Sequence, residues 1–191
     1  GLDLSKDRLK ICQSKIKRLM LKSRKKPFLY NLNMTDFRLP QKFAIVIVPF
    51  RGIQFVTDPE EQINAMKSFA RHLRPGGYLI LDLFNPSIKM LADNSIYKSL
   101  RTSYRGEKGE EILVSERIRT RSYITQTITI EEKYVVSFKE EISSFTINYS
   151  MRYSFRYEIE YQLRLAGFAI KEIFSDFRRT PWSDGYRGDI V

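Results

Sequence analysis

Between Phe43 and Phe84 the apolar positions change period twice. Phe43-Ala-Ile-Val-Ile-Val48 is an unbroken apolar run, which predicts a strand covered on both faces. Over 58–73, Ile63, Met66, Ala70 and Leu73 recur at helical spacing and predict the buried stripe of an amphipathic helix. That helix carries its own start signal: Asp58 can cap, Pro59 suits the first helical position, and Glu61 stands three residues after the cap. Gly76 and Gly77 give the turn Arg74–Gly77 the freedom to end the helix and enter a second apolar run, Tyr78–Phe84. Strand, helix and strand at this spacing make a right-handed parallel crossover, the repeating piece of a doubly wound α/β sheet. Ligands of such sheets sit outside the carboxyl ends of the strands. Here those ends are Pro49-Phe50-Arg51-Gly52 and Asp82-Leu83-Phe84-Asn85-Pro86.

The flanks extend this picture. Gly1–Ser5 reads as a strand end running into a helix whose buried stripe is Leu9, Cys12, Ile16 and Leu19, stopped by the cluster at 23–27. Phe28–Tyr30 is a short strand, and 31–40 a loop carrying Asn33, Met34 and Asp36; another loop passes through Asp93-Asn94. From about Glu111 the period falls to two. Ile128, Ile130, Tyr134, Val136 and Phe138 share one face, and Phe145 to Phe155 alternate with Thr146 to Ser154, as in antiparallel strands with one wet face. A helix over about 156–166, stopped by Gly167, and a strand over 168–174 precede a Pro/Gly-rich tail at 181–185. The expected organisation is a single domain, 1–191. Its α/β core is 1–90 and 156–191, and its antiparallel β insert is about 108–155. The chain opens at a strand tip and closes on Gly188-Asp189-Ile190-Val191, which reads as the start of another strand, so it is expected to be a fragment of a longer domain.

Charge changes the picture only locally. The net charge is +11, and residues 1–26 hold ten lysines and arginines against Asp3 and Asp7. A solvated outer helix explains this run, and a nucleic-acid footprint is the alternative. One cysteine, Cys12, excludes an internal disulfide and fits a reducing cytoplasm; with one histidine, His72, zinc chemistry is not expected. No apolar run approaches the roughly 18 residues of a membrane span.

Asp3 stands at a strand end, where an acidic residue binds ribose hydroxyls in nucleotide-binding sheets, although a helix-capping role explains it equally well. The glycine-rich loop that would precede it is absent from this chain, and Gly106-Glu-Lys-Gly109 lacks the strand and helix needed to replace it. Four pieces, taken in order, resemble the class I S-adenosylmethionine-dependent methyltransferases. They are Gly1-Leu2-Asp3-Leu4-Ser5, Asn33-Met34-Thr35-Asp36-Phe37, Leu73-Arg74-Pro75-Gly76-Gly77-Tyr78 with Leu81–Pro86, and Leu165-Ala166-Gly167-Phe168. The resemblance covers nearly the whole chain and is greatest to the small-molecule branch with extra antiparallel strands. It implies a Rossmann-like sheet, incomplete at its amino end, and S-adenosylmethionine as cofactor. Asp3 would hold the ribose, with Leu4 and Met34 against the adenine. Asn33 stands where the family often has an acidic residue, and Pro49 and Phe50 would adjoin the methionine part. Without the first strand and its glycine loop the pocket is half-walled, so this chain alone is expected to bind the cofactor weakly.

Methyl transfer needs alignment of nucleophile and methyl above all, a proximity effect of roughly 7–11 kcal/mol. No obligatory catalytic residue is therefore expected. Arg51 or Arg152 could hold a carboxylate or phosphate of the acceptor, with Gln54 and Asn85 as further contacts. Tyr153 could orient the nucleophile or act as base, against the simpler reading of a core aromatic. The expected activity is methylation of a small molecule. Three alternatives stand beside it: methylation guided to RNA by the basic helix, an inert module pairing through its sheet edge with a second copy or a separate amino-terminal piece, and a nicotinamide-dependent oxidoreductase supported by Asp3 alone.

Overall fold

The computed structural model describes residues 1–19, 27–92, 100–183 and 189–191. The expected helix stop at 23–26, the loop at Asp93-Asn94, the tail beyond Ser183 up to Gly188, and Lys22, Arg24, Lys25 and Lys26 lie outside the described residues.

The crossover forms as the pattern predicts. Strand β1 (Phe43–Val48) is followed by a single turn of 3₁₀ helix (Gly52–Phe55), helix α2 (Pro59–His72) and strand β2 (Leu73–Leu81). β1 and β2 pair in parallel, with Ile45 opposite Tyr78 and Val48 opposite Leu81. Asp58 is the cap of α2: its Oδ1 accepts from the Glu61 N–H at 2.9 Å, with Pro59 next to it. Asp58→Ala should therefore cost about 1 kcal/mol in denaturant unfolding, with the fold unchanged. The turn Arg74–Gly77 lies inside β2, because Leu73 already pairs with Phe43 before the register shifts. Gly76 has φ +74°, and a Cβ on Gly77 would stand 2.9 Å from the Ala44 carbonyl oxygen. That close approach lets the turn fold back on β1.

The buried face of α2 is shifted from the expected stripe. Met66 and Leu73 are buried, but Ile63 and Ala70 are half-buried, while Gln62, Ala65, Ser68, Phe69 and His72 are buried. Polar side chains sit inside because each has a backbone or side-chain partner. His72 Nδ1 bonds the Ser68 carbonyl at 2.7 Å, one turn back as expected of a helix end, and its Nε2 accepts from the Leu39 N–H at 2.8 Å. Its ring stacks on Phe37 at 4.2 Å.

Two expectations of burial fail for one reason. β1 is covered on one face: Val46 and Val48 pack on the main core with Leu79 and Leu81, whereas Ile45, Ile47, Tyr78 and Ile80 are exposed on the other. Helix α1 (Lys6–Leu19) has no buried residue, and Leu19 is 80% exposed. Among the described residues, no helix lies over that sheet face. Among the described residues the edge of β1 away from β2 has no strand partner, and the Leu2–Tyr30 bridge forms a separate parallel pair.

β3 (Leu83–Phe84) pairs antiparallel with β8 (Asp189–Ile190), and α3 (Ile88–Ala92) follows β3. The period-two region is a four-stranded antiparallel sheet in sequential order: β4 (Leu100–Arg105), β5 (Glu111–Ser122), β6 (Thr127–Phe138) and β7 (Glu141–Arg152). Ile128, Ile130, Met151 and Tyr153 form its core with Leu91, with Phe84, Ile118 and Tyr149 packed around it. Helix α4 (Arg156–Leu165) ends at Gly167, φ +88°, where the Phe168 N–H reaches the Leu163 carbonyl at 2.9 Å. No strand forms over 168–174. Phe174 instead exchanges both backbone bonds with Val191 and bridges Pro181, because the rest of the segment has no ladder partner among the described residues.

Candidate active site

Leu2, Leu32, Met34 and Val48 all pack on one core cluster that includes Ile53 and Leu83, so the stretches that carry Asp3, Asn33 and Pro49 border a common core. The Asn31 amide ties two of these stretches, donating to the carbonyls of Asp3 at 3.0 Å and Leu4 at 2.7 Å.

Asp3 is half-buried, and its Oδ1 accepts from the Ser5 N–H at 2.7 Å. Ser5 Oγ in turn accepts from the Arg8 N–H, so serine caps α1 while the aspartate shapes the turn into it. The second Asp3 oxygen accepts no bond from a described residue, which leaves it available to a ribose hydroxyl. Leu4 is 68% exposed beside it and Met34 is half-buried. Asn33 is exposed, with its side-chain oxygen turned back on the Thr35 N–H at 3.1 Å. Asp3 thus has one carboxylate oxygen without a described donor, and Leu4 and Met34 are the apolar side chains of the same stretches. Pro49 is exposed, and Phe50, at φ +56°, is 87% exposed.

The loop after Phe50 is fixed more firmly than its sequence suggests. Arg51 is also left-handed, φ +58°; its N–H donates to buried Asp82 Oδ2 at 3.0 Å, and its guanidinium lies 5.0 Å from the Phe84 ring centre. Gln54 is fully buried. Its amide nitrogen donates to the Phe84 carbonyl at 2.9 Å and its oxygen accepts from the Phe84 N–H at 2.7 Å. Gln54 is thus a clasp between the 3₁₀ turn and β3, with both ends of its amide bonded to Phe84, where the sequence suggested an acceptor contact.

Arg152 also departs from expectation. The alternation of β7 places it on a wet face, yet it is 7% exposed, because both faces of β7 are covered where it leaves the sheet. Its Nη1 donates to Gln62 Oε1 at 3.2 Å and to Ser154 Oγ, and its Nη2 donates to Gln126 Oε1 at 2.6 Å. Glu158 lies 3.7 Å away. Tyr153 is 2% exposed, edge-on to Phe155, and burial raises its hydroxyl pKa. It occupies the core position that is the simpler reading of its alternation.

Asn85 remains at the open end. It is buried, its Oδ1 has no donor among the described residues, and it lines a cavity of about 580 Å³ with Phe155, Arg156, Tyr157 and Trp182. Trp182 is half-buried and also packs on the main core.

Sequence reading missed a polar group on the inner face of the antiparallel sheet. Glu116 on β5 and Glu132 on β6 stand directly opposite each other. Glu132 accepts from the Tyr134 hydroxyl at 2.6 Å and the Tyr149 hydroxyl at 2.9 Å. The Glu132 bond, with burial, pushes the Tyr134 pKa up to about 12, and burial with the same carboxylate raises Tyr149. Burial, then Glu132, raises Glu116, with Arg51 opposing. The available signal was a glutamate at an inward position of each strand, legible only once the register is known.

Comparison with known proteins places this arrangement. No protein-family model matches the chain. The dTDP-3-amino-3,4,6-trideoxy-alpha-D-glucopyranose N,N-dimethyltransferase of Streptomyces venezuelae is 33% identical over 82 residues, 43% of this chain and 31% of that protein. The match thus takes in under a third of that relative's length. Among solved structures, an S-adenosylmethionine-dependent methyltransferase from Clostridium acetobutylicum superposes with a TM-score of 0.80 at 16% identity, over 99% of this chain and 71% of that one. DesVI of Streptomyces venezuelae gives 0.78 at 21% identity, over 100% and 71%. The sugar N-methyltransferase KedS8 of Streptoalloteichus gives 0.74 at 20%, over 100% and 68%. The chain therefore has the Rossmann-like fold of the S-adenosylmethionine-dependent methyltransferases, antiparallel sheet included.

Proposed function

We propose that this chain is the greater part of an S-adenosylmethionine-dependent methyltransferase that acts on the nitrogen of a small amine-bearing acceptor, an amino sugar being the first candidate. The observation that carries this reading is the likeness of the fold to methyltransferases over 99–100% of this chain, and the family resemblance would put Asp3, Leu4 and Met34 against the nucleoside. The relative that matches in sequence is named for dimethylating an amino sugar, which supports nitrogen as the nucleophile.

When bound, the cofactor supplies a methyl group activated by its sulfonium leaving group. The residues of this chain have the simpler tasks of binding and alignment. Asp3 would accept from the ribose, Leu4 and Met34 would pack on the adenine, and the loop Pro49–Arg51 would adjoin the methionine part. Asn85 offers a buried oxygen to a hydroxyl of the acceptor, and Trp182 a flat apolar wall beside it.

Incubation with millimolar S-adenosylmethionine and either 3-amino-3-deoxyglucose or glucose, followed by mass spectrometry, tests this directly. The expected products carry one or two added methyl groups on the amino sugar, and glucose is left unchanged. Methylation of glucose, or of neither sugar, would overturn the reading.

A further inference from the structure

Resting on the amine-methylating reading above, we propose that Glu116 and Glu132 form the site that recognises the ammonium group of the acceptor and so selects an amine over a hydroxyl. The two carboxylates face each other in register across β5 and β6 on a half-buried face. Like charges directly opposite in a sheet are destabilising. A sheet that keeps such a pair beside a candidate active site breaks a local rule, as binding sites do.

The two glutamates are not equivalent. Each oxygen of Glu132 is taken by a tyrosine hydroxyl, from Tyr134 and from Tyr149, so this carboxylate is fixed in place. The Glu116 carboxylate accepts no hydrogen bond from a described residue. Arg51 is the cation whose field reaches it, and that guanidinium is shared with the Phe84 ring. Among the described residues that is one guanidinium against two carboxylates.

The surroundings point to an organic cation. Tyr134 stacks on Phe145 with centres 4.8 Å apart, and Tyr149 meets Phe55 at 5.6 Å. Carboxylates among aromatic faces suit an ammonium, which gains both charge-assisted hydrogen bonds and ring contacts. A metal ion is less well served, since among the described residues no three His, Cys, Asp or Glu side chains gather. The Phe55–Tyr149 contact also joins this face to the loop that follows β1, on the side where ligands of such sheets bind. A bound ammonium would relieve the same burial and repulsion that raise the Glu116 carboxyl.

The test is an NMR titration of wild type, Glu116→Gln and Glu132→Gln near neutral pH, with 3-amino-3-deoxyglucose and glucose as probes. Wild type should prefer the amino sugar. Glu116→Gln should lose about tenfold of that preference, the size expected of one charge-assisted hydrogen bond, with glucose binding unaltered. The same variant should melt roughly 1–3 °C higher, because the like-charge contact is gone; a purely structural glutamate would give the opposite sign. Glu132→Gln should weaken the amine preference while lowering the melting temperature, since two tyrosine hydroxyls lose a charged acceptor. Equal binding of the two sugars by wild type, or an undiminished amine preference in Glu116→Gln, would overturn the proposal. Loss of methyl transfer with the amine preference intact would instead strike the proposed function and leave the role of this pair standing.

Discussion

Arg152→Ala should destabilise the protein by about 3 kcal/mol in denaturant unfolding, which is far more than a strand-surface arginine is worth. The guanidinium joins three parts of the fold: Gln62 on α2, Gln126 in the turn between β5 and β6, and Glu158 in the first turn of α4. The Gln62 oxygen also accepts from Gln162 at 3.1 Å, and Gln126 donates to Glu158 at 3.0 Å, so removal of one member disturbs the rest. Glu158 is partly exposed and can be hydrated again, but Gln62 is not. The loss should therefore come from the buried amides and the emptied volume. Arg152→Met keeps most of the volume and separates the two causes: recovery of most of the lost stability would mean that packing, not the polar network, holds the antiparallel sheet to the helices.

Gln54→Ala should cost about 2–4 kcal/mol, by leaving the Phe84 N–H and carbonyl without partners next to a void. The consequence extends to function. Phe84 carries the Arg51 guanidinium on its ring, and the residue after it, Asn85, lines the cavity beneath Trp182. Loosening this clasp frees the loop after β1 and the end of β3 together. Any methyl transfer should fall by more than the unfolded fraction explains. Activity that merely tracks the folded fraction would show that the clasp has no positioning role.

The distribution of what the sequence revealed follows from how local each signal is. Asp58-Pro59 starts α2, and Gly167 stops α4, through bonds within a few residues, so both were readable. The alternation from Phe145 to Tyr153 revealed the antiparallel sheet, but it could not say that Arg152 is covered, since the glutamines that bond it lie on α2 and in the turn between β5 and β6. Gln54 looked like a loop residue free to meet a ligand, and its true partner is a backbone 30 residues away. The apolar run Phe43–Val48 implied two covered faces; the structure covers one, which leaves Ile45 and Ile47 exposed. Glu116 and Glu132 were silent, because their opposition exists only in the register of β5 against β6.

The proposed function needs an adenosyl site at Asp3, Leu4, Met34 and Phe50. Saturation-transfer NMR with S-adenosylmethionine, on wild type and on Asp3→Ala, measures it most directly. Transfer to the adenine and ribose protons with millimolar affinity, lost in a still-folded Asp3→Ala, is the predicted result for a cleft walled on one side. Micromolar affinity would contradict the open cleft, and no transfer at all, or transfer undiminished by Asp3→Ala, would contradict the site itself.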